Sequence, residues 1–268
     1  MWASYQFLFR NVTGNLIDTH TYIHETGHLL GLDDYYAYDS NWNPSGELDM
    51  QSYNVGDHNI FSKFALGWVE PYVVTDECKI TLRTSSKYPD AILIKDNWNG
   101  SAFDEYLLIE YYTPSNLNLK DALNSYEGQK MYGYSGLRIY HVDARLVELD
   151  ITLRGNLIAR KYVDIIPEDS YYTYFVGASN STDRSFLPKK NASKYKLLHL
   201  LDSGYKNVFD SDASLDPNEV LFTEKDEFVP NKNFFANEDA FNDGEKLKYK
   251  VSLSNMNSTS CEVTISKI

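Results

Sequence analysis

The chain has 268 residues, 43% of them hydrophobic and 24% charged, with 25 Lys and Arg against 38 Asp and Glu. A net charge of −13 weighs against a nucleic-acid groove or docking on anionic lipid, and no apolar run nears the roughly 18 residues that cross a bilayer. Two cysteines, Cys78 and Cys261, exclude a disulfide-dense scaffold and a thiolate zinc site.

The first predicted element is a helix from Leu16 to Leu30, with Asp18 or Thr19 accepting from its free amides and Gly31 making the left-handed turn at its end. A second runs from Ile60 to Trp68, capped by Asp57 or Asn59, with Ile60, Phe61, Phe64, Ala65 and Trp68 at helical spacing. Beyond about Val73 the pattern changes to strands: Lys79–Arg83, Ala91–Lys95, Glu105–Tyr112, Gly136–Val142, Ala159–Ile165, Leu247–Leu253 and Cys261–Lys267. Turn formers such as Asn99-Gly100 and Asp243-Gly244 separate them. Residues 170–241 are polar, aromatic and poorly periodic, and long loops are expected there. The fold class is therefore α+β, with a helical portion at 1–72 and an antiparallel, sandwich-like β domain at 73–268.

One segment carries chemistry. His24 and His28 are four apart, so a helix sets both imidazoles on one face, one turn apart, close enough to share a metal ion. Glu25 adjoins the first and can reach a water there without ligating. Gly31 breaks the helix, and Asp34, three residues on, can supply a third ligand. A bare His-Glu-x-x-His occurs by chance in roughly 1% of chains this long. Adding the glycine and the ligand lowers that below about 1 in 10,000, which favours a metal centre over two solvated histidines. With thiolates absent, imidazole and carboxylate suit zinc, and three protein ligands leave a fourth position open for water. Met50, in Leu48-Asp49-Met50-Gln51-Ser52-Tyr53, fits an apolar floor beneath such a metal, although Met is also ordinary gap-filling core. Tyr53, or one of Tyr35, Tyr36 and Tyr38, can donate a hydroxyl to a developing oxyanion.

The stretch from His24 to Tyr36, the segment Asp49-Met50-Gln51-Ser52-Tyr53-Asn54 and the run from Asp57 to Trp68 together resemble the immune inhibitor A-like metallopeptidases, secreted bacterial zinc proteases related to the metzincins. Glu105–Glu110 and Gly136–Asp143 look like that family's strand signatures, so the resemblance spans most of the chain with gaps. It implies that 1–72 is the C-terminal part of a metzincin-like zinc-protease core. It further implies His24, His28 and Asp34 as zinc ligands, Glu25 as general base, Met50 in the methionine turn, structural calcium, and a secreted or cell-surface setting. No export signal is visible in the first twenty residues. Two departures stand out: only 23 residues precede His24, where the family has a substantial upstream half, and Tyr53 follows Met50 by three residues rather than two.

His20 and His58 are weaker candidate ligands. His141 and His199 read as strand histidines. The acidic run from Asp210 to Asp216 fits a solvated loop better than a calcium loop, since it lacks the bending glycine and the bidentate glutamate. The expectation is a zinc endopeptidase acting on extracellular protein or peptide, with no nucleic-acid partner and no membrane insertion. The rival is a β-rich surface-binding module carrying a remnant of the protease core.

Overall fold

The computed structural model describes residues 19–36, 38, 43–125, 130–151, 156–163, 173–180, 195–206, 215–235, 237 and 239–268. Among them the fold is mixed α+β, with few helices and mostly antiparallel sheets. The helices are α1 (His20–Leu29), α2 (Ile60–Ala65) and α3 (Leu117–Leu123). The strands are β1 (Tyr72–Val74), β2 (Cys78–Arg83), β3 (Ile92–Ile94), β4 (Glu105–Tyr112), β5 (Gly136–Asp143) and β6 (Leu146–Ile151). They continue with β7 (Leu157–Val163), β8 (Thr173–Phe175), β9 (Leu198–Leu201), β10 (Glu227–Phe228), β11 (Tyr249–Ser254) and β12 (Ser260–Lys267).

Three sheets form, in the orders β1-β3-β4-β5-β9, β10-β11-β12-β2 and β7-β6-β8. The centre of the first is β4 against β5, antiparallel from Glu105↔Asp143 to Tyr112↔Gly136, with every residue of both strands buried. Successive side chains point to opposite faces. Leu107, Ile109 and Tyr111 therefore join Leu82, Val251, Val263 and Ile265 of the four-stranded sheet in one apolar cluster. Tyr106, Leu108 and Tyr112 join Tyr35, Leu48, Val55, Ile60 and Phe61 in another. The five-stranded sheet is thus a middle layer, and the segment carrying His24 to Tyr53 packs on one side of it. β11 and β12 alternate buried with half-buried residues, as strands with one covered face do.

The polar content of the middle layer is unusual. Glu110 and Arg138 stand opposite each other and touch at 2.6 Å, both fully buried. The Arg138 guanidinium lies 5.3–6.0 Å from the ring centres of Tyr112, Tyr140 and Tyr132. Its cost of desolvation is offset by the paired carboxylate and the ring faces. Asp49 is buried above this pair; burial pushes its carboxyl up to about 6 against hydrogen bonds from the Gln51 amide and the Asn59 side chain.

Several expectations need correction. The second helix stops at Ala65, because Gly67 adopts φ 73° and the Trp68 amide turns back to the Lys63 carbonyl. Trp68 therefore lies outside the helix and is half exposed. Asn59 is its cap, accepting from the Ser62 amide at 2.9 Å. Thr19 occupies the N-cap of α1 but makes no side-chain capping bond, and Leu16–Asp18 lie outside the described residues. The β region is not wholly antiparallel: β1 pairs parallel with β3, since the chain crosses to the other sheet as β2 before returning. Within 170–241 the chain forms β8, β9 and β10. Asp210 and Asp212 fall outside the described residues. Cys78 pairs with Ile265 and Cys261 with Leu82, four residues apart along one ladder, so roughly 13 Å separates them, beyond the ~7 Å reach of a disulfide.

His199, opposite His141 in the β5–β9 ladder, is fully buried. Burial, with His141 and Lys196 adding to it, pushes its pKa down from 6.5 to about 3. The unfolded chain takes this proton near pH 6.5 while the folded chain resists it to about pH 3, so stability falls as pH drops through that window. Denaturant midpoints measured from pH 7 to pH 4 should decline, and His199→Gln should flatten the decline.

Candidate metal centre

α1 ends in a Schellman turn. The Leu32 amide donates to the Gly27 carbonyl and the Gly31 amide to the His28 carbonyl, both at 3.0 Å, with Gly31 at φ 95°. The reversal aims the Leu32 carbonyl back at the helix, where it accepts from His28 Nδ1 at 2.8 Å. The chain then returns beneath α1. Its return is pinned by Tyr35, whose amide donates to the Gln51 carbonyl at 2.7 Å and whose hydroxyl meets Ser62 Oγ at 2.8 Å. Asp34 is therefore set between the helix and the turn that bears Met50. That turn supplies a second anchor: the Met50 carbonyl accepts from His24 Nδ1 at 2.9 Å.

A carbonyl can only accept, so each Nδ1 carries the hydrogen and each neutral ring presents a bare Nε2. These two Nε2 atoms lie 3.0 Å apart, and Asp34 Oδ1 lies 3.1 Å from one and 3.3 Å from the other. Ligands about 2.0–2.1 Å from a tetrahedral zinc sit about 3.3–3.4 Å from one another, close to this triangle. Asp34 Oδ1 is buried and makes no hydrogen bond among the described residues, which leaves an anionic atom in want of a cation. Burial opposes a charge on His24, but the facing Asp34 and the Met50 carbonyl outweigh it and raise the ring's pKa above 6.5. For Asp34 burial is again outweighed, by His24 and by the Tyr38 hydroxyl, and the carboxyl is held below 3.8. Both directions reflect the attraction between the His24 ring and the Asp34 carboxylate. Nitrogen, nitrogen and carboxylate oxygen make a donor set that could hold a divalent metal ion.

His24, His28 and Asp34 form the only cluster of three or more potential ligands among the described residues. Glu25 adjoins His24 and is half-buried. Met50 is buried, and the part legible in its contacts is its carbonyl rather than its sulfur. Tyr53 packs, half-buried, against the apolar cluster of the middle layer. Of the four tyrosines that the sequence offers for an oxyanion, Tyr38 donates its hydroxyl to Asp34 Oδ2. His20 is turned away: its Nε2 donates to both Asp121 oxygens at 2.8 and 2.9 Å, and Asp121 also accepts from the Gly56 amide. His58 is buried and outside the triangle. His141 Nε2 donates to Glu105 at 2.8 Å. On a different face of α1, Ile23, Gly27, Leu30, Met50 and Trp68 help line a hollow of about 580 Å³ that His24, His28 and Asp34 do not border.

The spacing could not announce the two carbonyl anchors, because every residue carries one. The Tyr38 contact had a weak signal, a tyrosine four residues beyond a ligand carboxylate. No family model, curated protein or solved structure matches this chain.

Two glycines test the frame. A Cβ on Gly27 would lie 2.5 Å from Gln51 Oε1, and Gln51 is fully buried beside Met50. Gly27→Ala should part helix from turn and weaken any uptake of a divalent metal by the triangle, read by chelator competition. A Cβ on Gly31 meets nothing within 4 Å, so Gly31→Ala should cost only the left-handed strain, about 1–2 kcal/mol in unfolding free energy.

Proposed function

We propose that this chain is a zinc-dependent endopeptidase of the immune inhibitor A-like type, acting on extracellular protein or peptide substrates. The observation that carries the reading is the triangle of two bare imidazole nitrogens and one unpartnered carboxylate oxygen, with Glu25 adjacent in sequence and outside it. In this reading 1–72 is the C-terminal part of a metzincin-like core and 73–268 a sandwich-like β domain, in a secreted or cell-surface protein.

His24, His28 and Asp34 would hold the zinc. Bound there, the ion supplies a Lewis acid and lowers the pKa of water towards neutrality. Glu25 takes the proton from the attacking water and returns it to the departing amine. Tyr53 is assigned to the developing oxyanion. Asp34 makes the donor set one positive charge poorer than three histidines would, so the attacking water stays somewhat less acidic. The carbonyls of Met50 and Leu32 hold the rings in the tautomer that faces inward, and such supporting bonds sharpen ligand orientation.

The test uses purified chain and an unfolded protein substrate. Cleavage should stop with a chelator and return with zinc. Glu25→Gln should keep one zinc per chain and lose activity by at least about 100-fold, the usual worth of a general base. Wild-type turnover by that variant overturns the base assignment. Zinc uptake with no cleavage by the wild type favours a β-rich surface module instead.

A further inference from the structure

The two oxygens of Asp34 have different surroundings. Oδ1 faces the ring nitrogens of His24 and His28 at 3.1 and 3.3 Å. Oδ2 accepts a hydrogen bond from the Tyr38 hydroxyl. Tyr38 is itself held from a distant part of the chain. Its amide donates to the Asn180 carbonyl at 3.2 Å, and Asn180 Nδ2 reaches its hydroxyl oxygen at 3.5 Å. Beside it, Ser179 Oγ donates to Asp33 Oδ2 at 2.7 Å. Ser179 and Asn180 follow β8 in the three-stranded sheet, so a loop from that sheet straps the segment from Asp33 to Tyr38.

We propose that Tyr38 is a positioning residue that keeps Asp34 a one-oxygen ligand, with the loop after β8 as its brace. The inference rests on the metal-centre reading above. A carboxylate can grip a metal through one oxygen or two. With Oδ2 engaged by a phenol hydroxyl, the carboxylate cannot pivot to offer both without giving up a charge-assisted hydrogen bond in a site where Asp34 is only 7% exposed. One-oxygen binding keeps the donor set at three and leaves the fourth tetrahedral position for water. The Tyr38 ring contributes little to packing: it is 64% exposed and meets the Tyr36 ring edge-on at 5.5 Å. Its hydroxyl, not its ring, is the part the site uses, so removing that oxygen should leave the fold intact.

Tyr38→Phe, compared with wild type, tests this by three measurements on purified chain. Zinc affinity by chelator competition should fall about 10–100-fold, the usual cost of losing a hydrogen bond behind a metal ligand. The visible absorption of the cobalt-substituted protein should weaken as a second carboxylate oxygen enters the coordination sphere. Unfolding of the metal-free chain should be unchanged, which separates positioning from a structural role. Ser179→Ala should shift affinity in the same direction by less. If Tyr38→Phe keeps wild-type zinc affinity and cobalt spectrum while the wild type binds both ions, the positioning role is wrong and the metal centre stands. If the wild type takes up neither ion, the metal-centre reading fails and this inference falls with it.

Discussion

Each imidazole of the triangle is tied through Nδ1 to a backbone carbonyl, His24 to Met50 and His28 to Leu32, and the rest of the site depends on that pair of bonds. They fix which nitrogen is bare and where it points. Without them the rings could rotate about χ2 or exchange tautomers, and the 3.0 Å approach of the two Nε2 atoms would have no cause. The two carbonyls come from separate devices. One is the reversal after Gly31, local to the helix. The other is the turn at Met50, which reaches α1 only because the apolar layer brings it there.

That layer is built around strands buried on both faces. β4 and β5 present Tyr106, Leu108, Tyr112 and Tyr140 to the site-bearing segment and the alternate residues to the four-stranded sheet. Leu48, Val55, Ile60 and Phe61 seat on the first face, so the position of the Met50 turn is a consequence of core packing. Asn59 links the parts further: its Oδ1 caps α2 at Ser62 and its Nδ2 donates to Asp49, next to Met50. Tyr35 joins the same group through Gln51 and Ser62. Helix, ligand loop and turn are thus connected by directional bonds laid over apolar contact, which suits a centre needing sub-ångström placement.

The elements legible in the sequence are those whose pattern is local. Glu105–Tyr112 is a strand with the bounds its run of aliphatic and aromatic residues and its flanking turns predict, and the ladder at 260–267 reads nearly as well. β9 and β10 are short pieces completed by neighbours distant in sequence, and runs of four and two residues carry no period to detect. α3 is not legible in the sequence, because its seven residues are too few to show a period and Leu117, Leu119 and Leu123 are exposed rather than gathered on a buried face. Trp68 is the opposite case: its spacing continues the helix, and the left-handed Gly67 just before it ends the helix first.

By itself the sequence determined the donors, their spacing and the reversal: His24 and His28 share a helix face at 3.6 residues per turn, and Gly31 permits a turn that L side chains resist. Tertiary structure alone decided that Asp34 Oδ1 closes the triangle, that Met50 contributes a carbonyl, that His20 turns to Asp121 instead, and that Tyr38, bonded to Asn180, donates to the second oxygen of Asp34. Helical periodicity is a property of a few consecutive residues. Convergence of groups tens to more than a hundred positions apart depends on which apolar faces bury each other, and that is settled only when the whole layer packs.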